Sequence, residues 1–218
     1  MSDSSTAIKL LDKLEGTVIA DLKSLIAWAG DFHNKSDNEE SRGGLNFTLF
    51  ILSLIACETF GYYSEGAKYH KKRGNCKSVD TGSYIMDFIQ NYFERDSYFK
   101  KLKKVLADWL RNYLVHGFGS LDEHDNYDIG LFISKDLTKQ ILVGKEGEKK
   151  VIKLNSIAIA QQTISAFSRL KGKVKEGKDA FLIDNITKAV AQRCPLGKKV
   201  LNEFDAVYEI AERKGLTY

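Results

Sequence analysis

The sequence predicts an all-α chain, a helical bundle that carries one small β-hairpin. Three observations predict it. A single proline in 218 residues leaves room for long unbroken helices. Apolar residues recur at spacings of three and four through most of the chain. One stretch, 122–154, departs from that period and holds short strand-like runs instead. Hydrophobic residues make up 43% and charged residues 28%, a globular balance that argues against intrinsic disorder. No internal repeat or linker interrupts the chain, so 1–218 reads as one domain. Within it, 122–154 forms the insertion and 155–218 the C-terminal helices.

The first helix is expected from Thr6 to Asn34, since Ile8, Leu11, Leu14, Val18, Leu22, Leu25, Ile26 and Ala29 share one face. Thr6 and the serines before it offer an N-cap. Lys35 to Gly44 is polar and reads as a loop. A second helix, Leu45 to Ala67, is apolar all round in its first half, which puts it at the centre of the fold. Its longest apolar run, Phe47 to Cys57, falls short of the roughly 20 residues a bilayer requires, so no membrane span is expected. Lys68 to Ser78 reads as a basic loop. Gly82 to Glu94 forms a third helix on Ile85, Phe88, Ile89, Tyr92 and Phe93. Asp96-Ser97 caps a fourth, Tyr98 to His116, which Gly117 ends.

After Asp122 the pattern changes. Tyr127–Ile133, Gln140–Val143 and Lys149–Leu154 read as short strands, the last two joined through Gly144-Lys-Glu-Gly147 as a hairpin. Helices then resume over Ser156–Leu170, Asp179–Arg193 and Pro195–Lys214.

Several chemistries find no support. The three cysteines, Cys57, Cys76 and Cys194, are far apart and form no C-x-x-C, so neither a zinc site nor a disulfide framework is expected. No metal or other cofactor is expected. The start of the chain has no basic stretch followed by an apolar core, so no signal peptide is expected and the cytoplasm is the expected compartment. No G-x-G-x-x-G, P-loop, H-E-x-x-H or G-x-S-x-G occurs. The acidic group around Asp122, Glu123, His124, Asp125 and Asp128 lacks the ligand spacing of a calcium loop. A net charge of +4 permits a nucleic-acid partner without demanding one.

The informative segment is Trp109-Leu-Arg-Asn-Tyr-Leu-Val-His116-Gly. RNA is cut without metal when its own 2′-hydroxyl attacks the adjacent phosphate. That reaction needs proton transfer near neutral pH and positive charge on the phosphorane. Histidine supplies the first and the planar arginine fork the second. Arg111 and His116 are those two groups. Asn112 lies four residues before His116, so it shares a helical face with the imidazole and can orient it. Arg111 and His116 are five residues apart, about 140° on an ideal helix. Three arrangements reconcile them: the helix loosens near Gly117, the arginine's length closes the gap, or the residues pair across a dimer. On the residue pattern alone, His116 also reads as a packed histidine bonded to a backbone carbonyl at a helix end.

An Arg, a polar residue directly after it, and a His after a short spacer, at the end of a helix that follows an apolar helix, resemble the HEPN family signature. The run Phe50-Ile-Leu-Ser-Leu-Ile-Ala-Cys-Glu-Thr-Phe-Gly61 before the motif strengthens the likeness to bacterial HEPN-like proteins, over about Leu45 to Gly119. The resemblance implies a HEPN-like bundle and a metal-independent endoribonuclease. It also implies a homodimer in which each copy contributes Arg111 and His116 to a shared cleft. The family's settings further imply a toxin with a cognate antitoxin, or defence against phage. The alternative is a non-catalytic HEPN-like module that binds RNA or nucleotide or serves as a dimeric interaction partner.

Two basic runs bear on RNA. Lys100, Lys101, Lys103 and Lys104 precede the motif on its helix, and Lys71, Lys72 and Arg73 stand in the basic loop. Each is equally a solvated face. Glu58, in the apolar helix, is either a support that holds Arg111 or His116, or the mark of that helix's exposed edge.

Overall fold

A computed structural model describes residues 4–35, 43–66, 70–73, 76–79, 81–110, 127–191 and 213. Helix α1 (Ser4–Leu14) runs through a π-wound turn, Glu15–Ile19, into α2 (Ala20–Lys35). The expected single helix is therefore continuous but carries one wide turn, in which the Ala20 N–H donates to Glu15 O, five residues back. Helix α3 (Gly43–Glu65) is the hub. It packs against α2, against α4 (Thr81–Tyr92), and against the two later helices α6 (Ser156–Glu176) and α7 (Ala180–Ala191).

One cluster of buried side chains joins these helices, with Phe50, Phe60, Phe88, Phe99 and Phe167 fully enclosed. Phe60 is at its middle, 4.7 Å from the Phe167 ring and 5.5 Å from Phe88. Gly61 permits this. A Cβ there would lie 2.2 Å from the Tyr84 carbonyl oxygen, so the backbones of α3 and α4 meet in direct contact. Taken whole, the segment Leu45–Glu65 is 21 residues and apolar enough to cross a membrane by length and composition. Length therefore does not exclude a span. Half of that window is nevertheless buried against the surrounding helices, as in the core helix of a bundle.

The basic stretch expected as a loop is instead a two-stranded antiparallel hairpin, β1 (His70–Arg73) with β2 (Cys76–Val79). Its lysines hid it from a reading based on apolar alternation, because ladder hydrogen bonds depend on the backbone and not on side-chain polarity. The insertion is also more than a hairpin. β4 (Ile141–Glu146) and β5 (Lys149–Asn155) pair antiparallel, and β3 (Tyr127–Phe132) pairs parallel to β5 on its other side, giving the order β3-β5-β4. Of the two glycines assigned to the turn, only Gly147 has a positive φ, at 63°. Gly144 pairs with Val151 within the ladder, so β4 runs three residues further than its apolar run suggests.

Helix α6 starts on Asn155, whose carboxamide oxygen accepts from the Ile157 and Ala158 N–H groups at 3.1 and 3.3 Å. The same side chain donates to the carbonyls of Ser134 and Lys139, both at 3.0 Å. One fully buried residue thus ties the sheet to the bundle. α6 continues past Leu170, the expected end, to Glu176, where Gly177 closes it in the left-handed region. The fold is mainly helical with a small mixed sheet. The expected helix Pro195–Lys214 lies outside the described residues except for Arg213.

Candidate functional site

Among the described residues the expected fourth helix, Tyr98 to His116, shows two parts. Helix α5 (Tyr98–Lys101) is a single turn, and Val105–Leu110 is π-wound. Its start is strongly held. Ser97, itself buried, caps it by accepting from the Phe99 N–H at 3.1 Å. Gln140, just before β4, accepts from the Tyr98 N–H at 2.9 Å and from the Ser97 hydroxyl at 3.3 Å. Phe99 is fully buried, edge-on to Phe93. Further along, Leu106 and Ala107 are buried, and Leu102 and Val105 pack against the core. The β insertion therefore has a structural consequence for the site: it clamps the segment that leads into Arg111.

Arg111, Asn112 and His116 lie outside the described residues. The lysines ahead of them are described. Lys101 and Lys104 are exposed, Lys100 and Lys103 half-buried. The Lys101 ammonium stands 5.1 Å from the Tyr98 ring centre. Lys103 donates to the Gln90 side chain in the last turn of α4. That same turn is approached from α6, a feature the sequence did not reveal. Arg169 Nε donates to Tyr92 O at 2.7 Å, and the Lys173 ammonium lies 4.9 Å from the Tyr92 ring centre. Each cation meets a different group there: Arg169 a backbone carbonyl at the helix end, Lys103 a side-chain amide and Lys173 an aromatic face. Burial pushes the Tyr92 phenol up to about 12, helped by Glu65 and Asp179, so it stays a neutral hydrogen-bonding group. Nothing local in the sequence pointed to Arg169 or Lys173, which are about 70 residues from the lysine run and join it only by helix packing.

Lys71, Lys72 and Arg73 stand on β1, paired with Ser78, Lys77 and Cys76 respectively. Glu58 is half-buried rather than sealed in the core. It shares a stripe of α3 with Ile51, Ile55, Tyr62 and Glu65, the less-buried side of that helix. Among the described residues no three His, Cys, Asp or Glu side chains converge as a metal site.

Two buried polar groups elsewhere were not anticipated. Lys171 on α6, with 11% of its side chain exposed, reaches Asp12 at 2.6 Å and Glu15 at 2.5 Å beside the first π turn. Its hydrogen bonds hold both carboxyls below their ordinary values, and theirs hold the ammonium above its own. The Cys57 thiol, fully buried and 3.4 Å from the Thr163 hydroxyl, is pushed up to about 12 by desolvation.

No family model matches the chain, and neither a curated protein nor a solved structure matches it.

Proposed function

We propose that this chain is a HEPN-like, metal-independent endoribonuclease that works in the cytoplasm as a homodimer, in a toxin–antitoxin or antiphage setting. The observation that carries the reading is the string Arg111-Asn-x-x-x-His116-Gly, which follows in the sequence directly on a lysine-bearing helical segment. In this reaction the 2′-hydroxyl oxygen of a ribose bonds to the neighbouring phosphorus while the bond from phosphorus to the 5′-oxygen breaks. One imidazole takes the hydroxyl proton, and a second, from the other copy, gives a proton to the leaving oxygen. Arg111 holds the phosphate oxygens as charge builds, and Asn112 orients His116.

One feature of the described residues supports this assignment. Lys100, Lys101, Lys103 and Lys104, with Arg169 and Lys173 across the last turn of α4, make a cationic approach suited to a phosphate backbone.

Fluorescent RNA incubated with purified chain in EDTA provides the test. The parent cuts, and His116→Ala and Arg111→Lys each lose about 10²–10⁴-fold in rate. Cleavage by His116→Ala at the parental rate refutes the assignment. A salt-dependent mobility shift with no cleavage by the parent identifies a binding module instead.

A further inference from the structure

Strand β4 is an edge. β5 covers one side of it, and among the described residues no strand pairs with the other. The ladder decides which backbone groups face outward. The Asn155 N–H donates to Gln140 O at 2.9 Å, so the pair Gln140/Asn155 is a hydrogen-bonded one. Antiparallel pairs alternate, which makes Leu142/Lys153 and Gly144/Val151 hydrogen-bonded in turn. The N–H and C=O groups of Ile141, Val143 and Lys145 therefore point away from β5, toward the open edge.

Protein sheets guard such edges with proline, charge or a bulge. This edge has no proline and no bulge; its charges, Lys145 and Glu146, stand only at its far end, and Val143 ahead of them is apolar. Val143 is 73% exposed, and Leu142 beside it is 44% exposed on the opposite face. Gly144, next in line, has no positive φ and nothing within 4 Å of where a Cβ would stand. Among the described residues, neither its conformation nor its surroundings call for a glycine.

We propose that β4 pairs antiparallel with β4 of a second copy of this chain, about a two-fold axis through Val143, so that two three-stranded sheets become one continuous sheet. The outward positions are self-complementary about that residue: Val143 faces its own copy, and Ile141 faces Lys145 of the partner. Every outward donor then meets an outward acceptor. On the other face Leu142 comes to lie over the partner's Gly144, where the missing side chain leaves room for it. Adjacent two-fold registers do less well. An axis through Lys145 sets two ammonium groups opposite each other, and an axis through Ile141 pairs Val143 with Lys139, outside the strand. Parity, charge and the glycine gap thus select one register. An edge of six residues is at the small end of specific interfaces, so this association is reversible and concentration-dependent. It stands independently of whether the chain cuts RNA.

Sedimentation velocity of the full chain over a concentration series tests the pairing, alongside hydrogen exchange at Ile141, Val143 and Lys145. Val143→Pro removes one N–H per chain, an outward-facing one, and suits an edge strand, so the β4–β5 ladder survives it. Gly144→Val fills the gap meant for Leu142. Each variant, with parental far-UV circular dichroism, weakens the concentration-dependent step by roughly tenfold or more, since paired hydrogen bonds or side-chain contacts are lost twice over the axis. Val143→Ile keeps it. The three amides become protected as concentration rises. The proposal is overturned if the parent stays a single chain at every concentration, or if both variants associate as strongly as the parent. It is equally overturned if the three amides are protected without association, which would show that the chain itself fills the edge.

Discussion

Substituting Gly61 by alanine is the sharpest probe of how this bundle is assembled. On an exposed helix the change stabilises by about 1 kcal/mol, because glycine is the more flexible unfolded residue. Here the new methyl carbon would sit 2.2 Å from the Tyr84 carbonyl oxygen and 2.7 Å from its carbon. Both are backbone atoms of α4, so no rotamer change relieves the clash. That contact must open from 2.2 Å to at least 3.4 Å to become an ordinary one, and a gap of about 1 Å already forfeits up to half of each dispersion contact across it. The contacts at stake include Phe60 on Phe88 and Tyr62 edge-on to Tyr84, at 5.5 and 5.6 Å between ring centres. Overpacking of this kind costs about 1–3 kcal/mol in ordinary cores and more where backbone must move. With the cost at or just above the top of that range, about 3–4 kcal/mol, subtracting the propensity gain leaves a net loss of about 2–3 kcal/mol, which for this chain length lowers the melting temperature by about 4–12 °C. Urea melts followed by circular dichroism measure it through a lower midpoint at unchanged slope. A variant as stable as the parent, or more so, would show that α3 and α4 do not touch at Gly61.

Two further outcomes follow from the buried polar groups. Lys171→Met should cost about 1–2 kcal/mol, between the worth of a surface pair and a sealed one, because Asp12 and Glu15 remain half in solvent. The carboxyls sit below their ordinary 3.8 and 4.5, so their contribution is complete above those values and is lost as pH falls through the lower folded values. The ammonium sits above 10.5, so its contribution is complete below that and is lost as pH rises through the higher folded value. The parent–variant gap measured by urea melts should therefore be flat between these limits and close at both ends; a gap independent of pH would refute the pairing. Native Cys57, buried with its thiol near 12, should resist iodoacetamide at pH 8 and react fully once unfolded. Rapid labelling of Cys57 in the native chain, located by mass spectrometry, would contradict its burial.

Much of the helical layout was legible because a helix in a bundle must keep one face apolar, and that face repeats every three to four residues. α3 and α4 were found this way to within two residues at each end, and Ser97 declared itself as a cap by its type and position. The hairpin of β1 and β2 escaped because its residues, His-Lys-Lys-Arg, carry no apolar alternation. The parallel partnership of β3 with β5 escaped for another reason. Pairing is a relation between segments, and nothing within either strand names its neighbour. In the site, the lysine run was visible as composition, whereas its clamp by Gln140 and its company of Arg169 and Lys173 were not.

Local chemistry written along the chain was thus enough to determine where most helices run, which helix is central, and which arginine and histidine invite a functional reading. Only the tertiary structure decided that Gly61 brings two backbones together, that Asn155 joins sheet to bundle, and that Lys171 meets two carboxylates 156 and more residues earlier. The physical reason is range. Periodicity and capping act within a few residues and leave a trace in the order of side chains. Close approach, pairing and charge neutralisation act through space, between residues whose separation along the chain carries no record of their contact.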